Sequence, residues 1–185
     1  MKMKWFLRIA IFALFATQVW ARTLYVPSEH PSIQLAINDA NNGDVVIVGP
    51  GRYQENINFL GKAITVQSVD PNDPNIVEAT IIDGNAPADS NFGSVVTFNS
   101  GEDNDSVLSG LTITGGTGSW VRIYWQFKGY LWNRCGGGVL CLNGSSPAIR
   151  KMFSETILPA RAVEYISMTI VTLLLPTTCS MTIRH

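Results

Sequence analysis

Residues 43–68 read GDVVIVGPGRYQENINFLGKAITVQS, and the fold turns on this stretch. Runs of β-branched residues alternate in it with glycine turns. Residues 44–48 form a strand ended by Gly49-Pro50-Gly51. Residues 53–59 hold a second strand with Ile57 and Phe59 on one face. Leu60-Gly61-Lys62 turns the chain into a third strand, 63–68, with Ile64 and Val66 inward. Downstream, 70–74 reads as a loop and 80–84, 94–98 and 107–114 as further short strands closed by Gly, Asn or Asp. Short strands at this spacing suit either a sandwich or a solenoid.

The residues just upstream favour the solenoid. Thr23-Leu24-Tyr25-Val26-Pro27 is a short strand stopped by proline. A helix follows, with Ser28 as N-cap and Pro31 in the first turn, where a missing N–H costs little. Ile33, Ala36, Ile37 and Ala40 recur at spacings of three and four and make one apolar face, and Asn41-Asn42-Gly43 ends the helix. A stacked array needs such a helix, because its first coil has an open apolar end and an unpaired edge. The expected architecture is all-β, a right-handed parallel β-helix with an amino-terminal capping α-helix, and with Ile64, Val66, Ile81, Val96 and Ile113 inward.

The run Leu24-Tyr25-Val26-Pro27, Ile33-Gln34-Leu35-Ala36-Ile37 and Gly43-Asp44-Val45-Val46-Ile47-Val48 resembles the amino-terminal cap and first coil of the pectin-lyase-like family. Gly51-Arg52-Tyr53-Gln54-Glu55-Asn56-Ile57 and Gly61-Lys62-Ala63-Ile64-Thr65-Val66 extend the likeness, which continues loosely to about Ile149. The resemblance implies the fold. It implies no reaction, since one scaffold carries unrelated sites.

Residues 1–21 read as a secretory signal peptide. Lys2 and Lys4 supply positive charge, 5–20 is mostly apolar, and Val19-Trp20-Ala21 places small residues where a signal peptidase reads. The apolar stretch is interrupted and shorter than the roughly 20 residues of a membrane span. Cleavage is expected after Ala21, giving an extracytoplasmic chain that is secreted, periplasmic or cell-surface, with no membrane span. Residues 22–150 are then the amino-terminal part of the β-helix domain.

The 185 residues carry a net charge of −1, and 15% are charged. That argues against a nucleic-acid partner, which needs a basic excess or stripe. Three cysteines make no disulfide framework; Cys135 and Cys141 either pair or are two small buried thiols.

No catalytic constellation stands out. The candidate acids are Asp70, Asp73, Asp83, Glu102, Asp103 and Asp105. Glu102-Asp103-Asn104-Asp105 offers oxygen ligands that could take calcium, but it lacks the loop spacing of a calcium motif, and no cofactor or metal is expected. Asp70, Asp73 and Asp83 read as turn residues. Glu55 reads as a turn-anchoring acceptor and His30 as a surface residue. There is no nucleophile motif, phosphate loop or zinc spacing.

The segment from Trp120 to Trp132 breaks the strand rhythm. Trp120, Tyr124, Trp125, Phe127, Tyr130 and Trp132 stand there beside Arg122, Lys128 and Arg134. It reads as a loop whose rings either fold onto the coils as local core or form a platform for a sugar. Trp120, Tyr124, Trp125 and Trp132 are the candidate carbohydrate-binding residues. The expected function is that of a non-catalytic secreted or cell-surface β-helix that binds or displays, with carbohydrate as the candidate ligand. The alternatives are the front of a polysaccharide lyase, esterase or hydrolase, and a purely structural repeat array.

Residues 151–185 change character. From Met152 to His185 there is no Gly and no Asn. In the frame that starts at each codon's third base, residues 161–166 permit Gly-Gly-Gly-Ile-Tyr, which repeats Gly136-Gly137-Gly138-Val139-Leu140 within the 20–50-residue period of repeat arrays. The tail is therefore expected to be a frame-shifted, unstructured readout of further repeats.

Overall fold

The computed structural model describes residues 20–125 and 129–154, and the backbone alone at 123–125, 129 and 154. Most of the expected signal segment and most of the expected frame-shifted tail lie outside the described residues. Strands dominate, with two short helices among the described residues. None of those helices is long and apolar enough to cross a membrane.

Among the described residues, three of the four sheets are parallel. The largest joins β1 (Thr23–Val26), β2 (Val45–Val48), β5 (Thr65–Ser68), β9 (Val107–Ser109) and β14 (Ala148–Arg150) in that spatial order. The second runs β3 (Gly51–Tyr53), β6 (Thr80–Asp83), β10 (Thr112–Thr114) and β15 (Phe153–Ser154). The third runs β4 (Ile57–Asn58), β8 (Val96–Phe98) and β13 (Val139–Cys141). Between successive strands of the largest sheet, from β2 onward, the chain visits the second sheet and then the third.

Side chains alternate between faces along a strand, so one register sets the core of every strand it joins. Leu24, Val46, Val66, Leu108 and Ile149 form one row across the largest sheet, and all are buried. Val26, Val48 and Ser68 form the next inward row. Thr23, Val45, Thr65, Val107 and Ala148 make the outward row just before that of Leu24. Phe59, just after β4, and Phe98 of β8 meet in the core with ring centroids 4.3 Å apart.

Of the five residues expected inward, Ile64, Val66, Val96 and Ile113 are buried. Ile81 is not. It pairs with Arg52 and Thr112, and the neighbouring Ile82 fills the core row between Tyr53 and Ile113. Two adjacent isoleucines leave strand parity open in the sequence; in the structure β6 follows directly on the helix Pro74–Ala79.

The expected helix is α1 (Ile33–Asp39), with Ile33, Ala36 and Ile37 buried against β1, β2 and β4. Its N-cap is Ser32, whose hydroxyl accepts the Leu35 N–H at 3.2 Å, and not Ser28. Ser28 sits in a turn from which the amides of Glu29 and His30 donate back to the Tyr25 carbonyl. A second helix, α2 (Pro74–Ala79), follows the expected loop. Asp73 caps it by accepting the Asn75 N–H, and Pro74 stands in its first turn.

Candidate functional site

The fourth sheet is antiparallel and interrupts the parallel order. It joins β7 (Phe92–Gly93), β11 (Gly118–Trp125) and β12 (Gly129–Cys135), with β11 central. The aromatic segment, expected as a loop, is thus a strand pair. Its β-branched and aromatic content and Gly129 are the strand and turn signals in the sequence that fit this pairing.

The base of the hairpin is fixed to the body. The Ser119 hydroxyl accepts the Ser94 N–H at 3.1 Å and lies 2.8 Å from the Ser94 hydroxyl. The Trp120 N–H donates to the Asn91 carbonyl, and Ser119 and Cys135 are buried.

Beyond the base the register sets Trp120 opposite Arg134, Arg122 opposite Trp132, and Tyr124 opposite Tyr130. Directly opposed residues share a face, so rings and guanidiniums alternate on it. The Arg122 guanidinium lies 3.9 Å above the Tyr130 ring centre, and that of Arg134 lies 5.2 Å above Trp120. Arg134 also donates to the Thr117 carbonyl at 3.3 Å. Trp120, Tyr130 and Trp132 are 42%, 60% and 66% exposed, so these rings are not folded into the core. Tyr124 and Trp125 hold register positions opposite Tyr130 and Gly129, and their side chains lie outside the described residues.

Charge is segregated along the chain. From 22 to 117 there are twelve Asp and Glu against three Lys and Arg; from 118 to 135 there are three Lys and Arg and no acid. Arg22 and Arg52 pair with the buried carboxylates of Asp44 and Asp83 at 3.2 and 2.7 Å. Among the described residues no carboxylate forms an ion pair with Arg122 or Arg134. The exposed face therefore offers flat apolar surface beside guanidinium donors. Such a surface can stack on a sugar ring and bond its hydroxyl or anionic substituents.

The candidate acids are not brought together. Asp83 is buried and held by Arg52 Nε at 2.8 Å. Asp70 and Asp103 accept the N–H groups of Asn72 and Asp105 in local turns. Glu102 is buried and accepts from the Gly61 amide, the Ser100 amide and the Ser145 hydroxyl, tying together turns distant in sequence. Burial opposes its charge, but those hydrogen bonds outweigh burial and hold its carboxyl below the usual range. No group of three or more His, Cys, Asp or Glu placed to hold a metal occurs among the described residues.

His30 is largely covered, with Nε2 3.4 Å from Asp39 Oδ2. Glu55 binds the amino end of α1, accepting the N–H groups of Ile33 and Gln34 at 2.9 Å each, where a turn had been expected as its partner. Cys141 is a free thiol, so it does not pair with Cys135; burial, and then the Glu102 charge, push it up to about 11.

No family model, curated protein or solved structure matches the chain.

Proposed function

We propose that the chain is an extracytoplasmic, non-catalytic right-handed parallel β-helix of the pectin-lyase-like kind, whose β11–β12 hairpin binds polysaccharide. The repeated passage through three parallel sheets supports the solenoid, with residues 23, 45, 65, 107 and 148 in one row. The right hand follows from the strong preference of parallel crossovers. The basic, apolar and small-residue series at 1–21 supports export.

The observation that carries the binding function is the exposed row of Trp120, Trp132 and Tyr130 interleaved with Arg122 and Arg134 on one hairpin face. Rings that a soluble fold does not bury mark an interaction surface. The absence of any acid from 118 to 135 favours a glycan with carboxylate or sulfate groups.

A panel of immobilised polysaccharides tests the proposal. The purified chain should retain on acidic glycans, more weakly as salt shortens the reach of the arginines. Trp132→Ala should abolish retention while the thermal transition stays within about 3 °C, as for an exposed side chain. Retention on no glycan, or undiminished retention of Trp132→Ala, would refute it.

A further inference from the structure

Asp44 stands at the entry to β2 and is 1% exposed. Its Oδ1 accepts the backbone N–H of Arg22 at 2.7 Å. Its Oδ2 accepts the Asn41 N–H at 2.8 Å and the Arg22 guanidinium, through NH2 at 3.2 Å and Nε at 3.3 Å. The Arg22 carbonyl in turn accepts the Val45 N–H at 2.8 Å. Arg22 is therefore pinned on both sides of its Cα, at the mouth of β1. Residues 20–22 are exposed, with Trp20 at 80%.

The other charged groups nearby meet atoms other than the Arg22 backbone nitrogen. Asp39, at the end of α1, lies 3.6 Å from Arg22 NH1 and 3.4 Å from His30 Nε2. Lys62 Nζ donates to the Ile37, Asn38 and Ala40 carbonyls. The charge in bonding reach of the Arg22 backbone nitrogen is that of Asp44.

We infer that Asp44 is the docking site for the amino terminus of the processed chain. Hydrolysis of the exposed Ala21–Arg22 bond adds one water. Ala21 leaves as a carboxylate, and the Arg22 nitrogen becomes an ammonium. The atom that donated to Asp44 as a neutral amide then donates as a cation, and a charged donor to a carboxylate makes the stronger bond. The buried carboxylate already has a full set of donors ready to hold it ionised. Burial opposes its charge, but the amides of Asn41 and Arg22 and the Arg22 guanidinium outweigh burial and keep the carboxyl below its usual range. Processing thus completes the first rung of the largest sheet, and a chain cut elsewhere lacks this ion pair.

The test uses chain exported and processed by a secreting host, with and without one glycine inserted between Ala21 and Arg22. The insertion keeps Arg22 as an amide, as in the structure, and moves the new ammonium one residue, about 3.5 Å, further along. The exported parent should begin at Arg22, and its α-amino group should titrate above the ordinary range of about 7.7–8.0. The insertion should lower the melting temperature by about 3–8 °C at pH 7. A raised amino pKa contributes stability in full below its unfolded value and loses it as pH rises through the folded value. The difference between the two chains should therefore vanish in strong base. In an Asp44→Asn background the insertion should have no effect. Equal melting temperatures at pH 7, an α-amino group titrating at its ordinary value, or an exported chain that begins at another residue would each overturn the inference. The first two readings need no Asp44 variant, so they stand even if Asp44→Asn fails to fold.

Discussion

Glu55 and Lys62 hold opposite ends of one helix. The Glu55 carboxylate accepts the first amides of α1, and Lys62 Nζ donates to the carbonyls of Ile37, Asn38 and Ala40 at 2.7–2.8 Å. Each charge matches the helix end it meets, negative at the amino end and positive at the carboxyl end. The helix is too short to be stable alone, so these bonds and its buried face fasten it over β1, β2 and β4.

Removing either charge should therefore loosen this helix. Glu55→Ala is expected to cost about 1.5–3 kcal/mol and Lys62→Ala about 1–2 kcal/mol, by analogy with other hydrogen bonds to charged groups. Urea denaturation measures both, and Glu55→Gln, which keeps one acceptor, should lose less. An unchanged midpoint for Glu55→Ala would contradict the role given to it.

The inward row of the largest sheet should be far less tolerant than the outward row. Leu108 is fully buried and stacks between Val66 and Ile149. Leu108→Ala should cost about 2–5 kcal/mol, and Val107→Thr on the outward row less than about 1 kcal/mol. Equal costs would mean that the register is wrong.

Acid should unfold the chain through Asp44 and Glu102. Both carboxyls lie below their usual range in the folded state. A depressed carboxyl adds stability in full above its unfolded value, near about pH 4, and loses it as pH falls through the lower folded value. Melting temperature should thus fall steeply below about pH 4. Glu102→Gln should be less stable at neutral pH and show a shallower fall. A parallel decline in both chains would contradict this.

The parallel core is legible in residues 43–68 because isolated apolar pairs such as Ile57/Phe59 and Ile64/Val66 declare their face by period two. Ile81-Ile82 offered no such alternation, and its parity came out one residue off. Ser28 and Ser32 are both good caps in sequence, and only the turn back to Tyr25 separates them. Glu102 reads as a candidate ligand because nothing local reveals that its partners, Gly61 and Ser145, lie on other turns of the chain. The aromatic residues at 120–132 were visible as a cluster. Their pairing depended on a hairpin register that residue type alone does not give.

Cys141 should be sluggish toward alkylating agents. Its thiol is free and pushed up to about 11, so little thiolate exists at pH 8. Peptide mapping after brief iodoacetamide treatment should find this residue mostly unmodified in the native chain and modified in guanidinium. Complete native labelling within seconds at pH 8 would contradict its burial.

The most direct measurement is an indole N–H spectrum of nitrogen-labelled chain titrated with an acidic polysaccharide, with each signal assigned by a Trp→Phe substitution. The signals of Trp120 and Trp132 should move together and saturate, and the shifts should shrink in Arg122→Gln and in high salt. A saturating titration in which neither signal moves would contradict a binding role for the hairpin.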